Sequence, residues 1–381
     1  MYSSRPIKHT FIILLIMSLS LLILIGCQNS AGTPEQPDTS LDVENEDLSD
    51  DKFENGTDSN NNNNNEIAQP EITDEPALSD EQLRELKVNE LGEVMVLMYH
   101  VIGDKEDEWE RTADNFRNDL KVLYEEGYYL VTARDFVTGN MDVPAGKTPV
   151  ILTFDDSTEG HFRFLINEQG EKIVDPDSAV GIIENFANEN PGFGTAATFY
   201  VNYPLPFRQN DQPEWRKLKF EYLVDLGMEI GNHTYGHERL DRITDEEVQR
   251  TLARHVEATQ NLLPGYSVDT FALTFGIRPV NRELSVQGSY NGIDYHHKGV
   301  FLVGSNPAPS PFSTEFKPEA IPRIRAASVP SDFFNQWIDY FRNNPERRYV
   351  SDGDMNTITI PEELKDSVNI EKFDDRTIRT Y

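Results

Sequence analysis

The sequence predicts an α/β domain built on a parallel sheet or a (β/α) barrel, and three observations carry this. Short apolar runs, such as VMVLMY at 94–99, VILTF at 150–154 and ATFYV at 197–201, have the length and composition of strands buried on both faces. Segments with apolar residues at helical spacing separate them, so strand and helix alternate. Ionisable residues stand directly after several of the runs, where parallel α/β folds carry their functional groups. The pattern does not choose between an open sheet and a barrel.

Residues 1–26 read as an export signal. Arg5 and Lys8 precede the apolar run Phe11 to Ile25, which is short for a membrane span. Leu24-Ile25-Gly26-Cys27 resembles the lipobox of bacterial lipoproteins, which implies cleavage before Cys27, lipid on its sulfur, and an extracytoplasmic protein anchored to the cell membrane. Cys27 is the only cysteine, so no intrachain disulfide staples the domain and its core must stabilise it. Residues 27–90 read as an acidic, disordered tether. It includes six consecutive asparagines, Asn60 to Asn65, and from Gln28 to Glu90 eighteen Asp and Glu stand against three Lys and Arg. A helix is expected to begin near Ser79. The formal net charge of −32 over 381 residues argues against nucleic acid as a partner, since phosphate binding requires clustered Lys and Arg.

Residues 91–381 suffice for one large domain. Val94 to Tyr99 is the first buried strand, ending at His100. Thr112 caps a helix with Phe116, Leu120 and Leu123 on one face, stopped at Gly127. A short strand at Tyr129 to Val131, a brief helix around Phe136 and the strand Lys147 to Phe154 follow. Ser157 to Gly194 is long for a strand connection and is expected to form a lid or rim. Its helix starts at Asp175-Pro176, carries Val180, Ile183 and Phe186, and closes at Pro191-Gly192. After the strand at Ala196 to Val201 and a Pro-rich loop, a helix from Glu214 presents Trp215, Leu218, Tyr222 and Leu226. Met228 to Gly231 is again a strand. Thr244 and Glu247 form a capping box for a helix with Val248, Leu252 and Val256. Strands are expected at Thr270 to Phe275, Val300 to Val303, Ile321 to Arg325 and Arg348 to Val350, before an irregular tail. Phe333, Phe334, Trp337, Tyr340 and Phe341 make a helical aromatic face that packs on the sheet.

The chemistry gathers at strand ends. Asp155 and Asp156 close the run KTPVILTFDDS, and alternation along an extended strand sends them to opposite sides, so one can hold an ion while the other stays free as a base. An isolated Asp-Asp is ordinarily a turn or cap. Here His233 and His237, four residues apart, can meet one ion if their segment turns helically, and His100 stands at the tip of a third strand. Three ionisable clusters would converge on one rim.

TFDD at Thr153 to Asp156, with HTYGH at His233 to His237, resembles the two signature motifs of the metal-dependent polysaccharide deacetylases, the NodB-like carbohydrate esterases. Met98-Tyr99-His100 and FALTFG at Phe271 to Gly276 are similar to the subset acting on poly-N-acetylglucosamine of biofilms. The resemblance implies an incomplete (β/α) barrel and a divalent ion, zinc, on Asp156, His233 and His237. It implies Asp155 as general base, and His100 as the acid in place of a late Leu-x-His histidine, which is absent after Phe301. It further implies substrate contacts at Tyr99, Phe275 and Arg278, and an N-acetylglucosamine polymer (poly-N-acetylglucosamine, peptidoglycan or chitin-like) as substrate. Ser157 replaces the usual glycine after the aspartates, which matters if that position needs φ > 0. Ala272 stands where an arginine ordinarily pairs with the base, leaving Arg323 or Arg278 to tune Asp155. His161, His296 and His297 are assigned to surface or loops. The missing arginine and late histidine would suit a polysaccharide-binding protein that has lost catalysis, and the same metal site could hydrolyse another amide.

Overall fold

The computed structural model describes residues 77–209 and 214–381. The expected signal, Cys27 and the tether up to residue 76 lie outside the described residues. Among these, eight strands form one all-parallel sheet: β1 (Met95–Tyr99), β2 (Tyr128–Val131), β3 (Thr148–Asp155), β4 (Thr198–Val201), β5 (Glu229–Asn232), β6 (Thr270–Ala272), β7 (Gly299–Phe301) and β8 (Ile324–Arg325). The order is β7-β6-β5-β4-β3-β1-β8, and β2 pairs with the first half of β3. Leu97 lies opposite both Leu152 and Ile324.

The sheet curls until its edges nearly meet. An isolated bridge joins Phe301 to Ile321, and Ile321 N–H donates to the Val300 carbonyl. Pro322, which has no N–H to give to a ladder, separates this bridge from the two-residue last strand, and a second isolated bridge joins Ser305 to Ile324. The expected incomplete (β/α) barrel is the observed architecture.

Both faces are buried, as continuous apolar runs require. On β1, Met95, Leu97 and Tyr99 join one core cluster, while Val96 and, just before the strand, Val94 join a second. Helices α2 (Ala113–Glu125), α3 (Ala133–Thr138), α4 (Ala179–Glu189), α5 (Trp215–Asp225) and α6 (Asp245–Leu262) alternate with strands β1 to β6, α1 (Asp80–Leu86) precedes β1 and α7 (Phe333–Asn343) follows β8, while among the described residues no α-helix joins β6 to β7 or β7 to β8. Thr112 caps α2, and the Thr244–Glu247 capping box opens α6.

Several expectations are corrected. The folded region begins before residue 91: Ser79 and Gln82 form a capping box for α1, Leu83 and Val88 pack on Val350, and Glu90 is buried. The reason lies in the tail, where Val350 and Arg348 pair with Asn89 and Glu93 in isolated bridges instead of forming a strand of their own. The tail is not irregular either, since Thr357–Ile360 pairs in parallel with Thr377–Thr380. Helix α4 starts at Ala179 behind the cap Ser178, because the Asp175 carboxylate is engaged by Arg163 and by Asp177 N–H. On α5 the buried residues are Lys219, Phe220 and Leu223, and Leu218 is exposed. Lys219 lies inward because its ammonium donates to the Phe162 carbonyl among the rings of Phe162, Phe164 and Phe207. His161 and His297 are fully buried, whereas His296 is exposed.

Candidate active site at the barrel mouth

Asp155 ends β3 and is buried, so its carboxylate needs a partner. Arg323, fully buried, supplies it: Nη1 donates to Oδ1 and Nη2 to Oδ2, each at 2.7 Å. The guanidinium is itself fixed, Nε by the Leu302 carbonyl at 2.8 Å and Nη1 by Thr153 Oγ1 at 3.1 Å. Such a fork is the strong form of a carboxylate pair. Burial raises the Asp155 pKa, but the charges of Arg323 and His233 outweigh it and hold the carboxyl below its ordinary value. Arg323 thus fills the place of the absent arginine. Arg278 does not reach Asp155, for its guanidinium donates to the Glu319 carbonyl. Ala272 contributes its carbonyl instead, which accepts from His233 Nδ1 at 2.8 Å.

The chain turns sharply as it leaves the strands. Asp156 (φ 75°), Ser157 (φ 41°), Thr234 (φ 57°), His237 (φ 58°) and Phe275 (φ 56°) all adopt the left-handed region, and such outliers concentrate at functional sites. Position 157 therefore does require φ > 0. Ser157 compensates by accepting from Asn202 N–H at 3.1 Å, and Asn202 Nδ2 donates to the His233 carbonyl at 2.6 Å.

These turns bring Asp156 Oδ1 within 3.2 Å of His233 Nε2 and 3.0 Å of His237 Nε2. The three side chains are the metal-competent cluster found among the described residues. Because His233 Nδ1–H is committed to a carbonyl acceptor, its neutral tautomer turns a bare Nε2 lone pair toward the aspartate. Asp156 Oδ1 is buried and accepts no well-formed hydrogen bond. Two ring nitrogens and one carboxylate oxygen facing each other at this range suit a cation between them, and this donor set fits a divalent ion with positions left open.

His100, half-buried, follows β1 beside these groups. Its ring packs edge-on against Trp109 at 4.6 Å, and its carbonyl accepts a hydrogen bond from the buried His161. Burial lowers the His100 pKa against the opposing pull of the Asp155 and Asp156 charges. Tyr99 is not placed for substrate: it is buried, packed between Phe116 and Phe154, with its hydroxyl donating to Asp119. Alternation along β1 turns it to the face opposite the barrel interior. Phe275 is exposed, its ring 4.4 Å from that of His237. Trp109 was not flagged by sequence; its only signal is a lone Trp in a run of acids.

Residues 192–291 match the polysaccharide deacetylase family model. The matched stretch carries His233, His237 and Phe275, and leaves out His100, Asp155, Asp156 and Arg323. No curated protein matches the chain. Among solved structures, the chain is similar to the Streptococcus pyogenes deacetylase PplD in complex with acetate (17% identity, 65% of this chain and 97% of that one, TM-score 0.46). It is also similar to BC0361, a polysaccharide deacetylase from Bacillus cereus (19%, 65% and 68%, 0.46), and to IcaB from Ammonifex degensii (17%, 65% and 97%, 0.44).

Proposed function

We propose that this protein is a metal-dependent N-deacetylase of a polysaccharide containing N-acetylglucosamine, held outside the cytoplasm by lipid on Cys27. The observation that carries the reading is the juxtaposition of an ionised, Arg323-locked Asp155 with three converging metal donors. Asp156, His233 and His237 would hold a divalent ion, zinc as the resemblance implies, which would supply Lewis acidity toward the acetamide carbonyl and the water that attacks it. Asp155 is the base: Arg323 occupies one lone pair on each carboxylate oxygen, leaving the others to accept the proton of the attacking water. His100 delivers a proton to the departing amine. The C–N bond breaks, acetate leaves, and the sugar keeps a free amine.

Asp155→Asn preserves shape and removes the base. Acetate release from N-acetylglucosamine oligomers is expected to fall by roughly 10²–10⁴-fold while metal content, measured by elemental analysis, stays at the wild-type level. Turnover retained in that variant would overturn the assignment. Asp156→Ala is expected to lose the metal itself.

A further inference from the structure

His297 is a buried group that the reaction does not use. It follows the hairpin Gln287–Tyr290 with Ile293–His296, which stands in the β6–β7 connection, where the earlier strands are joined by helices. Asn291 (φ 50°) and Gly292 (φ 79°) make the two-residue turn of this hairpin, and Ser289 N–H ties it to α6 by donating to Gln249 Oε1 at 3.3 Å. The His297 side chain is fixed on several sides. Its backbone N–H donates to the Val286 carbonyl at 2.7 Å, its Nδ1–H donates to the Ser285 carbonyl at 2.8 Å, and its ring packs against Phe271 at 5.0 Å and Tyr295 at 5.3 Å. Burial pushes the imidazole down to about 4, so the ring is neutral and its Nε2 carries a lone pair.

That lone pair meets Asn232, the last residue of β5 and the one directly before His233. Asn232 Nδ2 donates to His297 Nε2 at 3.2 Å and to the Leu252 carbonyl at 3.2 Å, while Oδ1 accepts from Thr234 N–H at 2.9 Å. These three partners fix the amide. Flipped, it would set its oxygen against a carbonyl and a lone pair, and its NH2 against another N–H. Thr234 is β-branched and buried at φ 57°, a conformation that its surroundings must impose. Its Oγ1 in turn accepts from Glu238 N–H at 3.2 Å. The first of these two bonds spans His233 and the second spans His237.

We infer that His297 is a positioning residue for the metal-binding turn: through Asn232 it holds Thr234 in the left-handed region, and so keeps the ring nitrogens of His233 and His237 turned toward Asp156. His297 works through Asn232, not by touching an ion or a substrate. The hairpin that carries it is a buttress behind the site, built into the one place where a helix would otherwise join β6 to β7. Outer partners of this kind orient metal ligands, and their loss weakens the metal rather than the fold alone. This inference rests on the reading of Asp156, His233 and His237 as metal ligands.

Zinc affinity is measured on the full chain, freed of metal, by competition with a chromophoric chelator. Thermal unfolding and acetate release from N-acetylglucosamine oligomers in saturating zinc are followed in parallel. His297→Phe keeps a ring and loses both polar contacts, and is expected to bind zinc roughly tenfold more weakly. His297→Gln, whose Oε1 can accept from Asn232, is expected to stay within about threefold of wild type. His297→Asn keeps the Ser285 bond but stops short of Asn232, so it is expected to be as weak as His297→Phe and makes the same test should that variant fail to fold. Asn232→Ala is expected to lose at least as much affinity, and adding His297→Phe to it is expected to change nothing further. A role in stability alone would lower the melting temperature and leave the zinc affinity of the folded protein unmoved. Wild-type affinity in His297→Phe and His297→Asn, a glutamine variant as weak as these two, or additive losses in the double variant overturns the inference. Zinc affinity that follows the expected order without acetate release in any protein overturns the deacetylase reading alone, and a wild type that binds no zinc overturns both.

Discussion

Ser157 shows how one residue reconciles a strained backbone with a functional turn. At φ 41° a serine is strained relative to glycine, on the order of 1–2 kcal/mol, and its hydroxyl offsets this by accepting from Asn202 N–H. Ser157→Gly removes both strain and bond, so its melting temperature is expected to stay within about 2 °C of wild type. Ser157→Ala keeps the strain and loses the bond, and is expected to fall by about 2–4 °C. Calorimetry in which the alanine variant matches wild type while glycine falls would refute this account. Arg323 makes a larger demand. Arg323→Leu leaves Asp155 buried and unpaired, which costs about 3–5 kcal/mol in denaturant unfolding and lowers activity at least 100-fold. Arg323→Lys retains a charge without the fork and is expected to fall between. Stability unchanged in the leucine variant would show that the pair does not hold the fold, and activity unchanged that it does not hold the base. Asp155, Asp156, His233 and His237 were legible in the sequence because each stands just after an apolar run. The Arg323 pairing was not, because nothing local ties residue 323 to residue 155; only the order of the strands does.

At the scale of elements, the stretch after β3 divides into a root and a tip. In the root, Gly160 lies so close to Ile102 that a Cβ would come within 1.8 Å of its carbonyl oxygen, and the buried His161 donates to the His100 carbonyl. Burial pushes the His161 imidazole down to about 4, so it is neutral at working pH. The tip is the hairpin Phe164–Ile166 with Lys172–Val174, whose Leu165, Ile166 and Ile173 are exposed. Phe164 packs on Trp215 and Tyr222 of α5, so the stretch that the sequence suggested as a lid or rim has its root under His100 and rests on α5. His161→Ala is expected to destabilise the domain by about 2–4 kcal/mol, through a cavity and a lost bond beneath His100. Replacing 166–172 by a short Gly-Ser turn is expected to cost less than about 1 kcal/mol. Urea unfolding that ranks the two changes the other way would show that the tip, not the root, is structural. Helices with strong caps, α2 and α6, were readable from Thr112 and Thr244 because capping is local chemistry. The orientation of α5 was not, because apolar spacing alone could not reveal that Lys219 lies inward on three rings.

Across the whole molecule, the N-terminal segment and the C-terminal tail secure each other, and Glu90 is the tie. It is buried, its Oε2 accepts from Thr359 N–H at 2.8 Å, and its Oε1 accepts from the hydroxyls of Tyr349 and Ser351. Composition hid this, because residues 77–90 share the acidity of the tether before them and only the packing of Leu83 and Val88 on Val350 distinguishes them. Burial, with the negative charge of Asp352, pushes the Glu90 carboxyl up to about 8 despite those donors. The folded chain therefore holds a proton that the unfolded chain releases near pH 4.5. The contribution to stability is complete below that value, declines as pH rises through the interval to about 8, and is constant above it. With each pKa unit worth about 1.4 kcal/mol, wild type is expected to lose on the order of 3 kcal/mol between pH 5.5 and 8.5 in denaturant unfolding. Glu90→Gln cannot ionise, so its stability is expected to be nearly flat over the same window. Subtracting the two profiles removes the histidines common to both proteins, and parallel profiles would mean that Glu90 enters the fold already ionised, its three donors outweighing burial.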